Sequence, residues 1–291
     1  MKDNKVFMKV FSNVKIQGAL LTILSALFLS ITFSVARTLD SNIPTTMIVF
    51  VRTCFGLLFF IPFLFKYNLQ IFRTSRLHIH IVRAFLVLAA MICSYYSYRN
   101  LPMAFATSVG MSGGLLITLL SRIILGEIIG IFKWILMIIG YLGVVIVIRP
   151  NSFSLEFAVI TSLLANLFMA LSIITAKILS RTDSNITIML YTNILIVLIS
   201  ALSLEGDLNI LTSKDLIKLF IIGFLGVSSQ NIMLIALKLT SASFIAPFEY
   251  IRIVFSTLIG ITVFAEIPDL WTILGTIVII STTYSITYYE Y

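Results

Sequence analysis

The chain has 291 residues, 59% of them hydrophobic and 11% charged, with a formal charge of +8. A soluble domain carries about 25% charged residues, so this composition, with a mean hydropathy of +1.10, excludes a soluble globular protein and leaves an integral membrane protein. The basic residues stand singly or in pairs between apolar runs, which speaks against a nucleic-acid surface and for orientation in a bilayer.

A membrane span needs about 20 apolar residues. Ten runs of that order follow one another at 16–36, 44–65, 79–98, 102–121, 134–148, 153–176, 186–204, 219–237, 240–265 and 270–289. They predict an all-α membrane protein of ten transmembrane helices. The fifth run is short, and Lys133 and Arg149 at its ends can snorkel to the interfaces. Glu156 stands near one end of the sixth, where a charge costs less. Ser34-Val35-Ala36 at the end of the first run has the look of a cleavage site. Its apolar stretch exceeds the 7–15 residues of a signal peptide, so it is read as a retained helix. With the N-terminus inside, Lys2, Lys5, Lys9, Lys15, Lys66, Arg73, Arg76, Arg122, Lys133, Lys177, Arg181 and Lys238 fall on one side. Arg37, Arg99, Arg149, Lys214 and Lys218 fall on the other, which places both termini in the cytoplasm. Cys54 and Cys93 lie inside apolar runs and behave as small hydrophobes rather than a disulfide framework.

In the first run, Gln17, Ser25, Ser30, Thr32 and Ser34 are scattered polar residues; hydroxyls here can bond to their own helix or to a neighbour, and most are read as packing. The second run holds Arg52, eight residues in from Pro44. At 1.5 Å per residue that is about 12 Å deep, far for simple snorkelling. Arg52 is a candidate ligand for an anionic group, or alternatively a partner for a helix C-terminus or for Glu249. The basic connection 66–80 carries Arg73, Arg76, His78 and His80; without a third ligand it predicts no metal site, only a solvated cytoplasmic loop. Arg83, a short way into the third run, is expected to reach the interface. That run closes on Tyr95, Tyr96, Ser97, Tyr98 and Arg99. Tyr95 and Tyr96 point about 100° apart on a helix, so one can line a cavity while the other faces lipid.

The fourth run holds Gly110-Met111-Ser112-Gly113-Gly114, whose small residues let helices approach closely. In the second half, amides stand at Asn166, Asn193, Gln230 and Asn231. Asn166 and Asn193, near mid-span, are the candidate lining residues among them. The segment 205–218 reads as a solvated outer loop. The ninth run contains Ala246-Pro247-Phe248-Glu249-Tyr250-Ile251-Arg252, a carboxylate and a guanidinium in a stretch otherwise fit for lipid. Each charge costs about 2.5–3.5 kcal/mol on insertion scales, so both are functional candidates. Pro247 removes a backbone donor and can open the helix there. Spaced i, i+3, Glu249 and Arg252 also suit a pair that neutralises itself.

Two parts of the chain repeat. Leu101-x-x-Ala104 matches Leu239-x-x-Ala242 at a shift of 138, and Gly126-Glu127 matches Ala265-Glu266 at 139. The repeats are read as 16–149 and 153–289, five spans each. An odd span number inserts the second upside down, the signature of secondary transporters whose site lies at the midplane. No clustered acid, base or metal set stands at depth, so neither an enzyme nor a bound cofactor or metal is expected.

With Leu101-Pro102-Met103-Ala104, Ala265-Glu266-Ile267-Pro268 and the segment Ala246–Tyr250, the pattern resembles the drug/metabolite transporter superfamily, whose duplicated half is the EamA module. Phe50-Val51-Arg52-Thr53, Arg83-Ala84-Phe85 and Met91-Ile92-Cys93-Ser94-Tyr95-Tyr96 further resemble the S-adenosylmethionine uptake transporters of obligate intracellular bacteria. That resemblance implies an inner-membrane carrier importing S-adenosylmethionine in exchange for S-adenosylhomocysteine by alternating access. Its partners would be the small-molecule substrate and the bilayer, with room for a homo-oligomer. Such a substrate suits the candidate residues. Glu249 would pair with its cationic end, and Arg52 or Arg252 with its carboxylate. Phe248, Tyr250 and Tyr95 or Tyr96 would face the sulfonium or adenine, and Asn166 and Asn193 the adenine edges. The alternative is an exporter of amino acids or related small metabolites on the same fold. Which of Arg52, Arg83 and Arg252 reaches a cavity is left open by the sequence.

Overall fold

In lipid every backbone polar group must find its partner within the segment, so apolar runs of this kind fold as helices. The structure, a computed structural model, describes residues 14–62, 72–101, 103–110, 112–148, 157–204, 210–265 and 270–290. Lys2, Lys5, Lys9, Lys66, Pro102, Met111, Arg149, Glu156, Glu266 and Pro268 lie outside them. The described chain forms α1 (Val14–Arg37), α2 (Thr45–Leu58), α3 (Leu77–Asn100), α4 (Met103–Gly110), α5 (Ser112–Leu125), α6 (Ile131–Ile148) and α7 (Phe157–Leu179). There follow α8 (Asn185–Leu202), α9 (Ser213–Leu239), α10 (Ala242–Ile245), a 3-10 turn (Ala246–Tyr250), α11 (Ile251–Phe264) and α12 (Leu270–Glu290). No strand occurs among the described residues.

By length and composition six helical stretches can cross a membrane: α1, α3, α7, α8, α9 and the composite Ala242–Phe264. The remaining apolar helices are shorter, at Thr45–Leu58, Gly113–Leu125, Ile131–Gly143 and Ile273–Thr282. Large apolar side chains such as Phe85, Leu142, Leu198, Phe224 and Ile277 lie on the outside. That is the expected polarity where the solvent is hydrocarbon rather than water. The chain is an all-helical, multi-pass membrane protein.

One helical stretch changes its pitch. The ninth apolar run tightens into the 3-10 turn Ala246–Tyr250, with Pro247 among its first positions, where its missing N–H is least costly. Gly126 (φ 69°) follows α5, and Ala265 (φ 53°) is the only non-glycine described with positive φ and follows α11. Left-handed residues of this kind end helices.

Helix α9 begins earlier than the apolar run because Thr212 and Asp215 cap it reciprocally. Thr212 Oγ1 accepts from the Asp215 N–H at 3.2 Å, and Asp215 Oδ2 accepts from the Thr212 N–H at 3.3 Å. Lys214 and Lys218 therefore stand on a helix, not in the loop predicted at 205–218, whose residues 205–209 lie outside the described chain. Helix α9 runs along α1, where Ser25 and Ser229 bond to each other's carbonyls at 3.0 Å. It also crosses α2 at Gly223, where an added Cβ would lie 2.4 Å from the Arg52 carbonyl oxygen. Only glycine permits that approach.

The solvated loop predicted for His78 and His80 is corrected by the fold: both stand on a helix, and while His78 is exposed as expected, His80 is not. Helix α3 starts at Leu77, and His80 is fully buried, with Nε2 2.7 Å from Asp183 Oδ2. Thr74 Oγ1 donates to the same carboxylate oxygen at 2.7 Å. A histidine one turn into a packed helix finds its partner in another helix connection, which sequence spacing does not reveal.

Candidate functional site

Helix α3 presents Arg83, Val87, Met91, Ser94 and Tyr95 at three- and four-residue intervals, hence on one face. This face lines a cavity whose empty space, its opening to solvent included, is about 850 Å³. Ser25, Leu29 and Phe33 of α1, Ser172 and Ile173 of α7, and Gly226, Ser229 and Gln230 of α9 complete the wall, together with Glu249 and Arg252. A second space of about 590 Å³ adjoins it through Phe33, Ser94, Met169, Ile173, Glu249 and Arg252, and extends to Tyr98, Gly110, Gly113 and Asn166. Glu249 and Arg252 thus stand where the two spaces meet.

Arg52 is 4% exposed. Its Nη1 donates to the Tyr95 hydroxyl at 3.1 Å, its Nη2 lies 3.0 Å from Met91 Sδ, and its Nε has no partner. The guanidinium passes over Gly226, where an added Cβ would meet Nη1 at 2.8 Å. Neither alternative partner foreseen for Arg52, a helix C-terminus or Glu249, is the one it takes. Arg83 does not reach the interface, a second correction. It is buried, donates Nη1 to the Ser172 carbonyl of α7, and leaves Nε unpartnered. Its head is held on the carbonyl of Ser172 in α7, the helix α3 packs against, rather than turned toward the helix end.

Glu249 ends in a carboxylate that receives no hydrogen bond from the described residues and opens on both spaces. The i, i+3 pair with Arg252 does not close to ion-pair distance. Glu249 belongs to the 3-10 turn and Arg252 to α11, so the two side chains do not share the stacking of one regular helix. Arg252 instead reaches α4, where a Cβ on Gly110 would lie 2.9 Å from Nη2.

The remaining candidates divide. Tyr95 faces the cavity, while Tyr96 packs edge-on against Phe157 with centroids 5.4 Å apart. Asn166 lines the second space; its amide donates to the Val109 carbonyl of α4 at 3.0 Å and to the Ser162 carbonyl at 2.8 Å. Asn193 donates to Met189 at 2.8 Å and is fully buried away from the cavity. Phe248 packs on Phe244 at 5.3 Å, and Tyr250 lies against Gly140 of α6 with its hydroxyl 3.5 Å from the Met137 carbonyl oxygen. Aromatic surface comes instead from Phe33, which stacks on Tyr98 at 4.1 Å and 12° and meets Tyr95 edge-on at 5.7 Å. Sequence reasoning passed over Phe33, Tyr98 and Met91. For Met91 and Tyr98 the helical period running from Arg83 was the available signal; Phe33, on α1, had none.

Glu127, in the connection between α5 and α6 and outside the membrane-spanning helices, caps α10, which leads into the turn bearing Glu249. Its carboxylate accepts from the N–H groups of Ala242 (3.1 Å) and Ser243 (3.0 Å), at the start of α10. Burial pushes this carboxyl up. Hydrogen bonds from Ser243 and Ala242 and the charge of Lys177 outweigh it and leave Glu127 below the ordinary carboxylate range. No group of three or more His, Cys, Asp or Glu among the described residues can hold a metal ion.

With this geometry in view, the EamA-like transporter family matches the chain twice, at residues 16–149 and 156–288. An S-adenosylmethionine uptake transporter of Rickettsia conorii is 27% identical over 257 residues, covering 88% of this chain and 87% of that protein. A riboflavin transporter of Vibrio cholerae is 26% identical over 282 residues, covering 94% of each. One solved crystal structure superposes with a TM-score of 0.74 over 95% of this chain and 96% of its own, at 14% identity, which shows a shared fold.

Proposed function

The chain belongs to the EamA-like transporter family, and on that premise we propose that it imports S-adenosylmethionine, in exchange for S-adenosylhomocysteine, by alternating access. It is a transporter, not an enzyme, as its family is. The observation that carries the substrate reading is the pairing of opposite charges across one cavity. A carboxylate that receives no hydrogen bond from the described residues, Glu249, and a guanidinium anchored on Tyr95, Arg52, open on the same space. S-Adenosylmethionine carries a sulfonium, an ammonium and a carboxylate besides adenine. Glu249 takes the cationic end and Arg52 the carboxylate. Phe33, Tyr95 and Tyr98 offer a ring face to sulfonium or adenine, and Asn166 keeps an acceptor oxygen for an adenine edge. The Rickettsia relatives support this substrate by their names.

The architecture we assign to that activity is ten transmembrane helices in two inverted five-helix repeats, 16–149 and 153–289. The two family matches support it. So do the left-handed residues Gly126 and Ala265, which stand at the 139-residue shift. The cavity then lies between the repeats, where secondary transporters bind their substrates. The membrane is the bacterial inner membrane, with both termini cytoplasmic by the distribution of Lys and Arg.

Uptake of labelled S-adenosylmethionine into vesicles of the purified protein tests the activity, with vesicles preloaded with S-adenosylmethionine, S-adenosylhomocysteine or buffer. Uptake that requires preloading is expected. No uptake under any loading by folded protein would remove this substrate and favour an amino-acid or small-metabolite exporter.

A further inference from the structure

The charged groups on the larger cavity's wall do not balance. Among the described residues Arg52, Arg83 and Arg252 line it against the single carboxylate of Glu249. A guanidinium is not neutralised by losing a proton inside a protein. Two positive charges therefore remain in a low-dielectric space where unpaired charge is costly. All three have an Nε without a partner and no carboxylate at ion-pair distance among the described residues. Arg252 is only partly buried, whereas Arg52 and Arg83 are each about nineteen-twentieths buried, at 4% and 5% exposure, so the costly uncompensated charges are Arg52 and Arg83.

These two guanidiniums occupy different levels. Arg52 is held on Tyr95 and Met91, while Arg83 is held on the Ser172 carbonyl. Along α3 the residues Arg83 and Met91 are about 12 Å apart, and Arg83 and Tyr95 about 18 Å. The two guanidiniums share none of their hydrogen-bond partners. A substrate with two cationic groups and one carboxylate raises the positive excess instead of removing it.

We propose that Arg83 is a second anion site of the cavity, taking a negative group distinct from the carboxylate held at Arg52. This rests on the reading of the cavity as the transport site, but not on the identity of the substrate. The negative group has two sources, a small inorganic anion bound beside the substrate or a second acidic group on the substrate itself. Either cancels charge at the level of Ser172 and releases Arg83 from a backbone carbonyl that has other donors available.

The test uses the purified full-length protein in detergent, without S-adenosylmethionine, so that it fails or succeeds independently of the substrate reading. Thermal unfolding is followed while chloride is titrated at constant ionic strength against a bulky sulfonate, and separately while succinate is titrated. An anion bound only by the folded state raises Tm saturably. A saturable rise with chloride, kept in the exposed control Arg122→Gln and absent in Arg83→Gln, identifies an inorganic anion. A rise with succinate alone, also lost in Arg83→Gln, identifies a second acidic group of the substrate. Arg83→Lys keeps the charge but loses the fork, and its midpoint concentration should rise about tenfold. It decides the matter alone should Arg83→Gln not fold. No saturable response to either anion, or an Arg83→Gln or Arg83→Lys response equal to wild type, overturns the proposal.

Discussion

His80 and Asp183, 103 residues apart in sequence, meet at 2.7 Å between Nε2 and Oδ2 and tie the start of α3 to the connection between α7 and α8. Burial pushes the Asp183 carboxyl up, but hydrogen bonds from His80, Thr74 and Thr182 outweigh it and hold it below the usual range. A carboxyl with a lowered folded value contributes stability that is present above the ordinary value near pH 4 and is lost as pH falls through the folded one. Asp183→Asn should therefore unfold at lower temperature than wild type at pH 7, by a loss of about 1–3 kcal/mol. The two melting curves should converge on acidification below about pH 4. A constant gap across pH would show that the charge of Asp183 contributes nothing.

Glu249→Gln keeps the shape of the 3-10 turn and removes the only carboxylate on the cavity wall among the described residues. Transport should fall to background while the amount of protein in the membrane stays at the wild-type level. Quantitative blotting beside vesicle uptake separates the two effects. Uptake at the wild-type rate would take Glu249 out of the site.

The adjacent tyrosines offer a matched pair. Tyr95→Phe removes the hydroxyl that orients Arg52, a hydrogen bond to a charged group worth about 1.5–3 kcal/mol. KM should rise by about tenfold or more. Tyr96→Phe retains the edge contact with Phe157 and should leave KM unchanged. Equal effects in both would mean that Arg52 does not depend on Tyr95.

Two glycines separate packing from function. At Gly223 an added Cβ meets the Arg52 carbonyl at 2.4 Å, a backbone atom that cannot step aside. Gly223→Ala should destabilise the fold by about 1–3 kcal/mol. At Gly110 the added Cβ meets the far end of the Arg252 side chain at 2.9 Å, and that end can move. Gly110→Ala should leave Tm near wild type yet alter transport by displacing the guanidinium. Thermal unfolding and uptake on the same preparations check both outcomes.

Composition and apolar runs were enough to determine a helical membrane protein. Hydrocarbon leaves the backbone no other partner, and each span carries its own requirement within about 20 residues. The repeated Leu-x-x-Ala and small-residue-Glu signatures were legible for the same reason, since a local helix end writes itself in local sequence. The charges at Arg52, Glu249 and Arg252 announced themselves by their cost at depth. What they would touch did not. Only the tertiary structure separated Tyr95 from Tyr96, turned Phe248 and Tyr250 away from the cavity, buried His80 on Asp183 and brought Arg83 into the wall. Those outcomes depend on which helix packs against which face, and on a 3-10 turn that rotates Glu249 relative to its neighbours. Contacts between residues a hundred positions apart leave no period in the sequence, so the wall of the cavity is decided in three dimensions.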